Sequence, residues 1–416
     1  MTSPRPKLAG AAAAAAVAAL ILAGCSSSSG DDDTLSVWLP PFAAEDAEVG
    51  DLELWNGIIA PFEEEHDVDV EVTIVPWESF EERFLTGFSS GDGPDIGYMY
   101  AEMIGDYISR GQLATFTVSD EQRETFNFTD LGVYDGGQYG LPMVVGGARV
   151  LFYNKAILDD VGVEPPQTWD DLVSASTAVQ AAGYDPLLMA WGEPGVGVLA
   201  QNYVNFLWQA GGELINEDGT EAAFNSPEGL EAAEFLYDLR FTHGILPEST
   251  TALNGADLNA QFAAGNAAFA FGSDPEASTY QDAGIDLGAV VLEQAGRQTF
   301  VATDVLVLAE SSPHKDLAED LAWFLLSGPS MDQFAAVAPY APISSEQTTQ
   351  ADPLFADLYS GESDVLREYP VVPNSANLYT SLYENLQQML LGSKTPEQAL
   401  ADAELAANES LSRNAQ

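Results

Sequence analysis

The fold of this chain is limited most by a regular alternation of short apolar segments with amphipathic helical segments, which begins at Leu35. Residues 35–39 and 68–75 have the length and composition of buried strands, and residues 51–65 and 79–88 space their apolar side chains as helices do. Strands that alternate with helices in this way are typical of a parallel sheet covered on both faces. The sequence therefore predicts an α/β fold.

The alternation continues through the second half, where residue types indicate the helix ends. Thr168 is placed to cap a helix that opens with Trp169, and Ser226 is placed to cap another that opens with Pro227. Gly392 is placed to end a helix over residues 378–391. A chain of 416 residues is longer than a single hydrophobic core usually serves, so two domains are predicted.

The charge of the chain excludes one large class of partners. The formal net charge is -52, from 65 acidic and 13 basic residues, and such a field repels phosphate groups. Nucleic acid is therefore excluded as a partner. Hydrophobic residues make up 46% of the chain, so the acids belong to a globular protein and not to a disordered acidic tail. The acidity is typical either of adaptation to salt or of an extracytoplasmic protein of low pI, and we favour the second interpretation.

Cys25 is the only cysteine, and it follows an apolar segment over residues 9–23 that begins after two basic residues. That segment is too short to span a bilayer unaided and has the length of a signal peptide. It resembles the bacterial lipoprotein signal, in which the cysteine is acylated and becomes the first residue of the mature chain. The resemblance implies a signal peptide over residues 1–24, a flexible tether over 25–34, and a lipid anchor on Cys25 at the outer face of the cell membrane. The alternative is an ordinary secretory leader.

Five short segments occur in a fixed order along the rest of the chain. They are residues 91–96 (GDGPDI), 140–142 (GLP) with 151–155 (LFYNK), 165–172 (PPQTWDDL), 262–269 (FAAGNAAF) and 395–400 (TPEQAL). Together they resemble the extracellular solute-binding proteins of sugar-importing ABC transporters, the maltose-binding-protein-like family. The resemblance extends over nearly the whole chain that follows the tether.

That resemblance implies a two-lobed periplasmic-binding-protein fold of type II, in which each lobe is a mostly parallel sheet flanked by helices. One lobe would comprise residues 35–145 and 303–350, and the other residues 146–302 and 351–416. The ligand cleft would lie between the lobes. The implied function is to capture a carbohydrate, an oligosaccharide or glycoside, by lobe closure and to deliver it to ABC permease subunits. A monomer without cofactor is expected.

Candidate ligand-binding residues in the first lobe follow the ends of predicted strands, where open α/β sheets place their ligands. Trp38 ends the first strand, Trp77 and Glu78 follow the second, and Tyr100 and Glu102 follow the third. An aromatic ring offers a flat face to the C–H side of a sugar, and carboxylates accept hydroxyl protons. The resemblance implies sugar contact for Tyr100 and Glu102 in particular. The alternative for Trp38 is a core tryptophan.

Candidates in the second lobe come from the resemblance. Trp191 and Glu193 lie in residues 190–194 (AWGEP), which are similar to a ligand-contacting Glu-Pro loop of the family, and Tyr379 aligns with a stacking aromatic residue. Asp274 stands near the place where the maltose-binding relative has a tryptophan. A carboxylate in place of a ring means that maltose specificity is not implied.

Two other classes of function compete with sugar binding. The acids Glu78, Glu102, Glu193 and Asp274 would recognise ammonium groups as readily as hydroxyls, so a cationic solute such as a polyamine is the alternative ligand. A purely structural surface lipoprotein is the other possibility, and ligand-induced closure would distinguish it.

An enzyme is disfavoured. Ser89 lies in a Gly-x-Ser-x-Gly pattern, but a helix precedes it and a strand follows, which inverts the hydrolase arrangement. The three histidines are scattered, so neither a metal cluster nor a general base is indicated. Asp304 and Glu310, on an apolar strand and past its end, are interpreted as structural or hinge groups.

Overall fold

The structure is a computed structural model that describes residues 34–43, 49–129, 131–193, 196–338, 340–360 and 363–415. Cys25, the signal peptide and all but the last residue of the tether lie outside the described residues, so the lipid anchor stays a prediction. Among the residues described, no helix has both the length and the apolar character needed to cross a bilayer.

The strands and helices alternate much as the sequence predicts. The strands are β1 (Thr34–Leu39), β2 (Asp69–Ile74), β3 (Ile96–Tyr100), β4 (Leu113–Ala114), β5 (Val133–Tyr134), β6 (Gly137–Gln138), β7 (Gly140–Gly146), β8 (Val150–Asn154), β9 (Asp185–Leu188), β10 (Ala267–Gly272), β11 (Leu287–Val290), β12 (Thr299–Phe300), β13 (Ala302–Ala309) and β14 (Leu366–Arg367). The helices are α1 (Asp51–His66), α2 (Phe80–Ser90), α3 (Ile104–Ser109), α4 (Asp120–Thr125), α5 (Lys155–Val161), α6 (Trp169–Ala182), α7 (Val196–Leu199), α8 (Asn205–Gln209), α9 (Pro227–Phe241), α10 (Gly255–Ala263), α11 (Asp274–Asp282), α12 (Lys315–Leu325), α13 (Gly328–Ala335), α14 (Ala356–Ser360), α15 (Ala376–Leu390) and α16 (Pro396–Leu411). A π-helical segment, Ala200–Val204, joins α7 to α8, and short 3₁₀ turns occupy Trp77–Ser79, Ala101–Met103, Glu248–Ala252, Ser363–Val365 and Ser412–Ala415.

The helix ends form where the sequence predicts them. The Thr168 side chain accepts a hydrogen bond from the Asp171 N–H in a reciprocal capping box, and Ser226 accepts one from the Gly229 N–H at the start of α9. Gly392 follows α15 with a φ of 78°, in the left-handed region that glycine adopts at low cost. Each of these predicted boundaries is confirmed.

The first sheet has the strand order β2-β1-β3-β13-β4, and β7 also pairs with β13. β1 runs parallel to β2 and β3, whereas β13 runs antiparallel to β3, β4 and β7. The register of β13 against β7 shifts between Asp304 and Val305. The extra residue is Met143 on β7, whereas β13 stays in regular register with β3, where Asp304 stands opposite Tyr100 at the carboxyl end of β3.

The second sheet has the order β11-β8-β10-β9, and only its β9–β10 pair is parallel among the strands described. The two-sheet α/β architecture is confirmed, but this sheet carries more antiparallel pairing than the sequence analysis expected. A helix between two strands permits either direction of return, so alternation alone does not fix the pairing.

Helices cover both sheets and close their cores. On the first sheet, α1 packs against α12 and α13, and the rings of Trp55 and Phe334 stack with centroids 5.2 Å apart. On the second, α9, α15 and α16 pack together, and Trp169 stacks on Phe235 at 4.5 Å. These aromatic pairs fix the outer helices, which leaves the strand ends between the sheets free for a site.

Three neighbouring segments join the sheets, and the third is the stretch between α13 and α15, which contains β14. The chain leaves the first sheet through Gly147, whose φ is 64°, and the next N–H, that of Ala148, donates to the Tyr359 hydroxyl over 3.1 Å. It returns through Val301, whose N–H donates to the Arg367 carbonyl in β14 over 2.8 Å. The predicted lobe boundaries lie close to these passages and stay a prediction.

Candidate ligand-binding cleft

Trp77 presents an open aromatic surface beyond the end of β2. Its ring lies parallel to that of Tyr100, with centroids 6.1 Å apart and an interplanar angle of 6°. Its Nε1–H donates to the Pro41 carbonyl over 3.0 Å, and Phe42 meets it edge-on at 6.3 Å. The side chain is nevertheless 41% exposed. A large apolar ring held rigidly but left open to solvent is suited to stacking on a ligand.

Asp304 lies at the centre of the same region. It stands opposite Tyr100 in the β3–β13 register and accepts a hydrogen bond from the Tyr98 hydroxyl. Burial and, to a smaller extent, the nearby Glu102 raise the pKa of Asp304 to about 7, against the lowering effect of the hydrogen bond from Tyr98. Near neutral pH this carboxyl therefore exchanges readily between a form that donates a hydrogen bond and one that only accepts.

A cavity of about 430 Å³, which we call the Glu102 cavity, brings three predicted residues together. Tyr100, Glu102 and Tyr379 all line it, with Tyr107 and Ser375 beside them. Burial raises the pKa of Glu102, and the neighbouring Glu81 adds to the shift. Predicted residues that are more than 270 positions apart in the chain therefore share one cavity wall.

A second cavity of about 450 Å³, the Asp274 cavity, is lined by Phe42, Asp274, Tyr340 and Tyr359 among others. Asp274 Oδ2 accepts a hydrogen bond from the Tyr359 hydroxyl over 2.9 Å, while Oδ1 has no partner among the described residues. Burial raises the pKa of Asp274, against the opposing effects of Tyr359 and Arg149. One carboxylate oxygen thus remains available for a ligand.

The two cavities share neighbours. Asp304 and Asp274 both raise the pKa of Tyr340, so this phenol lies between the two acids. Trp77 contacts Phe42 of the Asp274 cavity and Tyr100 of the Glu102 cavity. The Trp77 ring therefore lies beside a lining residue of each cavity.

Two predicted residues of the first lobe lie elsewhere or add no described contact. Trp38 is half-buried beneath α2, with the Arg83 guanidinium 5.0 Å above its ring and the edge of Phe84 at 5.5 Å. It lines a separate groove with Arg83 and Gly87, because alternate residues of β1 face opposite sides of the sheet. Glu78 lies in the 3₁₀ turn next to Trp77.

Trp191 lies in the hydrophobic core of the second lobe and is 0% exposed. Its ring stacks on Tyr383 at 6.0 Å, and its carbonyl accepts hydrogen bonds from the Tyr383 hydroxyl and the Gln387 amide. α15 therefore covers the ring, which offers no free face in this conformation. Glu193 is exposed on the same loop, close enough to raise the pKa of Tyr383, and lines neither cavity.

Several polar residues of the region are not predicted from the sequence. Glu368 Oε1 accepts from the Gly132 N–H over 3.2 Å, and burial raises the pKa of Glu368 to about 7. Arg149 donates from Nη1 to Ser273 Oγ over 2.8 Å. The sequence signal that could have identified Glu368 and Arg149 is a charged residue beside an apolar strand, and Asp304 shows the same signal within its strand. Within the described ranges, no group of His, Cys, Asp or Glu side chains is arranged to hold a metal ion.

The Asp304→Asn variant is expected to gain stability relative to the parent protein as the pH rises. Because the pKa of Asp304 is raised to about 7 in the folded state, the folded protein holds more protons than the unfolded chain between roughly pH 4 and 7. The free energy of unfolding of the parent therefore falls across this window, by up to about 1.4 kcal/mol per pH unit from this group. Asparagine does not titrate and still accepts from Tyr98. Urea unfolding of both proteins at several pH values measures the difference, and a difference that is constant with pH would contradict the assignment.

Two α/β lobes joined by three passages around an aromatic and acidic cleft define a solute-binding protein. The chain belongs to the family of bacterial extracellular solute-binding proteins, which matches residues 46–331. The fold and the family are those of extracytoplasmic binding proteins and not of enzymes.

Individual relatives agree with this assignment. The galactooligosaccharide-binding protein of Bacillus subtilis is 24% identical over 376 residues, which are 85% of this chain and 86% of that protein. A cyclo/maltodextrin-binding protein complexed with maltotetraose has a TM-score of 0.74 at 23% identity, covering 92% of this chain and 98% of that one. The cyclic alpha-maltosyl-1,6-maltose binding protein from Arthrobacter globiformis has a TM-score of 0.71 at 21% identity, covering 91% and 99%. The predicted family and two-lobed fold are confirmed.

Proposed function

We propose that this protein captures a carbohydrate, an oligosaccharide or glycoside, between its lobes and delivers it to the permease subunits of an ABC importer. The observation that carries the proposal is the open Trp77 ring, stacked on Tyr100, which stands opposite Asp304 in the β3–β13 register. The names of the relatives, which bind galactooligosaccharides and maltodextrins, support a sugar as the class of ligand.

The chemistry of the cleft supports hydroxyl recognition. A sugar ring has an apolar C–H face for an aromatic ring and a rim of hydroxyls that donate and accept. Asp304 and Glu368, with pKa values raised to about 7 by burial, can take either role near neutral pH. A ligand that leaves these buried groups unpaired loses affinity, which is the source of specificity.

The dimensions of the cleft support more than one sugar unit. Cavities of about 430 and 450 Å³ each fall in the range of single small-molecule sites, and the Trp77 ring contacts a lining residue of each. Contacts to both lobes would favour the closed state, because a ligand shifts a conformational equilibrium by its differential affinity for the two states.

The proposal includes the anchor. A diacylated Cys25 would hold the protein stably at the outer face of the membrane, where a single acyl chain would be marginal. Staying on the membrane that carries the permease raises the effective concentration of the receptor. The segment over residues 25–34 would give it the reach to dock.

A cationic solute is the second candidate. No lysine or arginine within the described ranges is among the groups that shift the pKa of Glu102, Asp304 or Glu368. Buried acids without a basic neighbour favour a ligand that brings its own positive charge.

A thermal-shift screen tests the function. With ligand at about 100 times its Kd, binding to the folded state adds roughly 2.7 kcal/mol to the free energy of unfolding, so the melting temperature should rise clearly. We expect such a shift with an oligosaccharide and none with amino acids. A shift with spermidine and with no carbohydrate would replace the sugar assignment with the second candidate.

A further inference from the structure

The Glu102 cavity combines tyrosine rings with an excess of acid. Its walls hold the carboxyl groups of Glu81, Glu102 and Asp106, and Arg110 is the basic residue that lines it. The exposed Arg110 lowers the pKa of Tyr107 but is not among the groups that shift the pKa of Glu102. The cavity is therefore acidic on balance, and its half-buried acid lacks a basic partner among the described residues.

Two further acids surround Glu102 from other elements. Asp304 comes from β13 and Glu368 from the segment after β14, and Glu102 raises the pKa of each. Tyr98 donates to Asp304 and the Gly132 N–H donates to Glu368, but both of these partners are uncharged. A positive charge placed beside Glu102 would thus favour the ionised forms of Glu102, Asp304 and Glu368.

A separate observation points to a ligand in this cavity. Tyr379 is 3% exposed, it lines the cavity, and its hydroxyl has no hydrogen-bond partner among the described residues. Ser375 also lines the cavity and lies close enough for its hydroxyl to lower the pKa of Tyr379, against the larger raising effect of burial. A buried hydroxyl left unpaired costs free energy, and a ligand that donates to it or accepts from it would remove that cost.

On the basis of the proposed function, we infer that the solute is an amino sugar or a glycoside built from one. Its ammonium group lies beside Glu102 and donates a hydrogen bond to the Tyr379 hydroxyl. The neutral rings extend past Tyr100 and Trp77 toward the Asp274 cavity. Such a solute would contact both the aromatic surface and the acids. A simple polyamine would not use the aromatic surface, and a neutral sugar would leave the acids without a counter-charge.

The charge balance also defines what the cleft rejects. Arg149 is the basic residue near the cleft that shifts the pKa of Asp274, and its Nη1 is already engaged by Ser273. A uronic acid or a sugar phosphate would bring a second negative charge next to buried acids, which is strongly unfavourable. Acidic sugars should not bind.

Three disaccharides with the same β-1,4 skeleton test the inference by calorimetry. They carry at C2 an ammonium group (the glucosamine disaccharide), an acetamide (its di-N-acetyl form) or a hydroxyl (cellobiose). At about pH 6.5, below the usual pKa range of such an amine, the glucosamine disaccharide should bind roughly tenfold or more tightly than both neutral forms, since hydrogen bonds to charged groups are the stronger ones. It should also release protons from the carboxyl groups, which titrations in two buffers of different ionisation enthalpy detect.

Glu102→Gln should bring the three affinities to within about threefold of one another. Glu65→Gln, which removes the same charge from an exposed site at the end of α1, should leave the preference intact. The proton-release measurement on the parent protein decides the question even if Glu102→Gln fails to fold.

Cellobiose or the di-N-acetyl form binding as tightly as the glucosamine disaccharide would overturn the inference and leave the proposed function standing. Neutral oligosaccharides that bind while the amine form does not would have the same meaning. Binding of spermidine without any saccharide would overturn both the inference and the sugar assignment.

Discussion

Trp77→Ala is expected to weaken sugar binding by about thirtyfold or more and to lower the free energy of unfolding by about 1 to 2 kcal/mol, less than the loss for a fully buried ring. The ring is 41% exposed, so only part of its surface packs against Phe42 and Tyr100 when the ligand is absent. In the complex, the same ring would be covered on its open side, and central aromatic anchors of this kind commonly contribute about 2 kcal/mol or more to binding. Calorimetry and urea unfolding measure the two quantities separately.

A second exposed aromatic residue supplies the control. Phe241 is 43% exposed at the end of α9, where it packs against Tyr237 and Arg240 outside the cleft. Phe241→Ala should therefore leave ligand affinity unchanged. Equal affinity of Trp77→Ala and the parent protein would remove Trp77 from the site and with it the main observation behind the proposed function.

Trp191→Ala is expected to lower the free energy of unfolding by roughly 3 to 5 kcal/mol, because it opens a large cavity in a packed core. The ring is fully buried against Tyr383, and its Nε1–H has no hydrogen-bond partner among the described residues. Trp191→Phe keeps most of the ring volume and removes this unpaired donor, so it should cost much less. The midpoints of urea unfolding for the two variants measure the difference.

The same pair of variants tests the sequence prediction that Trp191 touches the ligand. A Trp191→Ala protein that unfolds like the parent but no longer binds would show that the ring faces the solute, contrary to its position under α15. A protein that is destabilised and still binds at low temperature would assign Trp191 to the core.

Strand ends were the most informative part of the sequence. Tyr100 ends β3 and Glu102 follows it, and both line the cavity that Tyr379 also lines. The position along the strand was sufficient to select these residues, because open α/β sheets bind their ligands at the carboxyl ends of the strands. Trp38 at the end of β1 shows the limit, since a shift of one position along a strand exchanges the faces of the sheet.

Tertiary contacts decided the rest. Whether Trp191 is open or covered depends on the position of α15, which begins 185 residues later and whose packing no local pattern encodes. Asp304 was interpreted as a structural group on an apolar strand, yet the pairing of β13 with β3 places it opposite Tyr100, where it accepts a hydrogen bond from the Tyr98 hydroxyl. Long-range strand pairing of this kind cannot be read from residue spacing.

The hydrogen bond between the Ala148 N–H and the Tyr359 hydroxyl has a mechanical consequence for the first passage between the sheets. Gly146 is paired with Ala302 in the first sheet, and Ala148 is tied through Tyr359 to Asp274 at the end of β10. Gly147, whose φ is 64°, is the residue between these two fixed points. A rotation of one lobe against the other would be absorbed at this passage in the torsion angles of a single residue. A pivot this short would let each wall of the cleft move as a rigid body, so the spacing of the groups on either wall would be preserved between an open and a closed state.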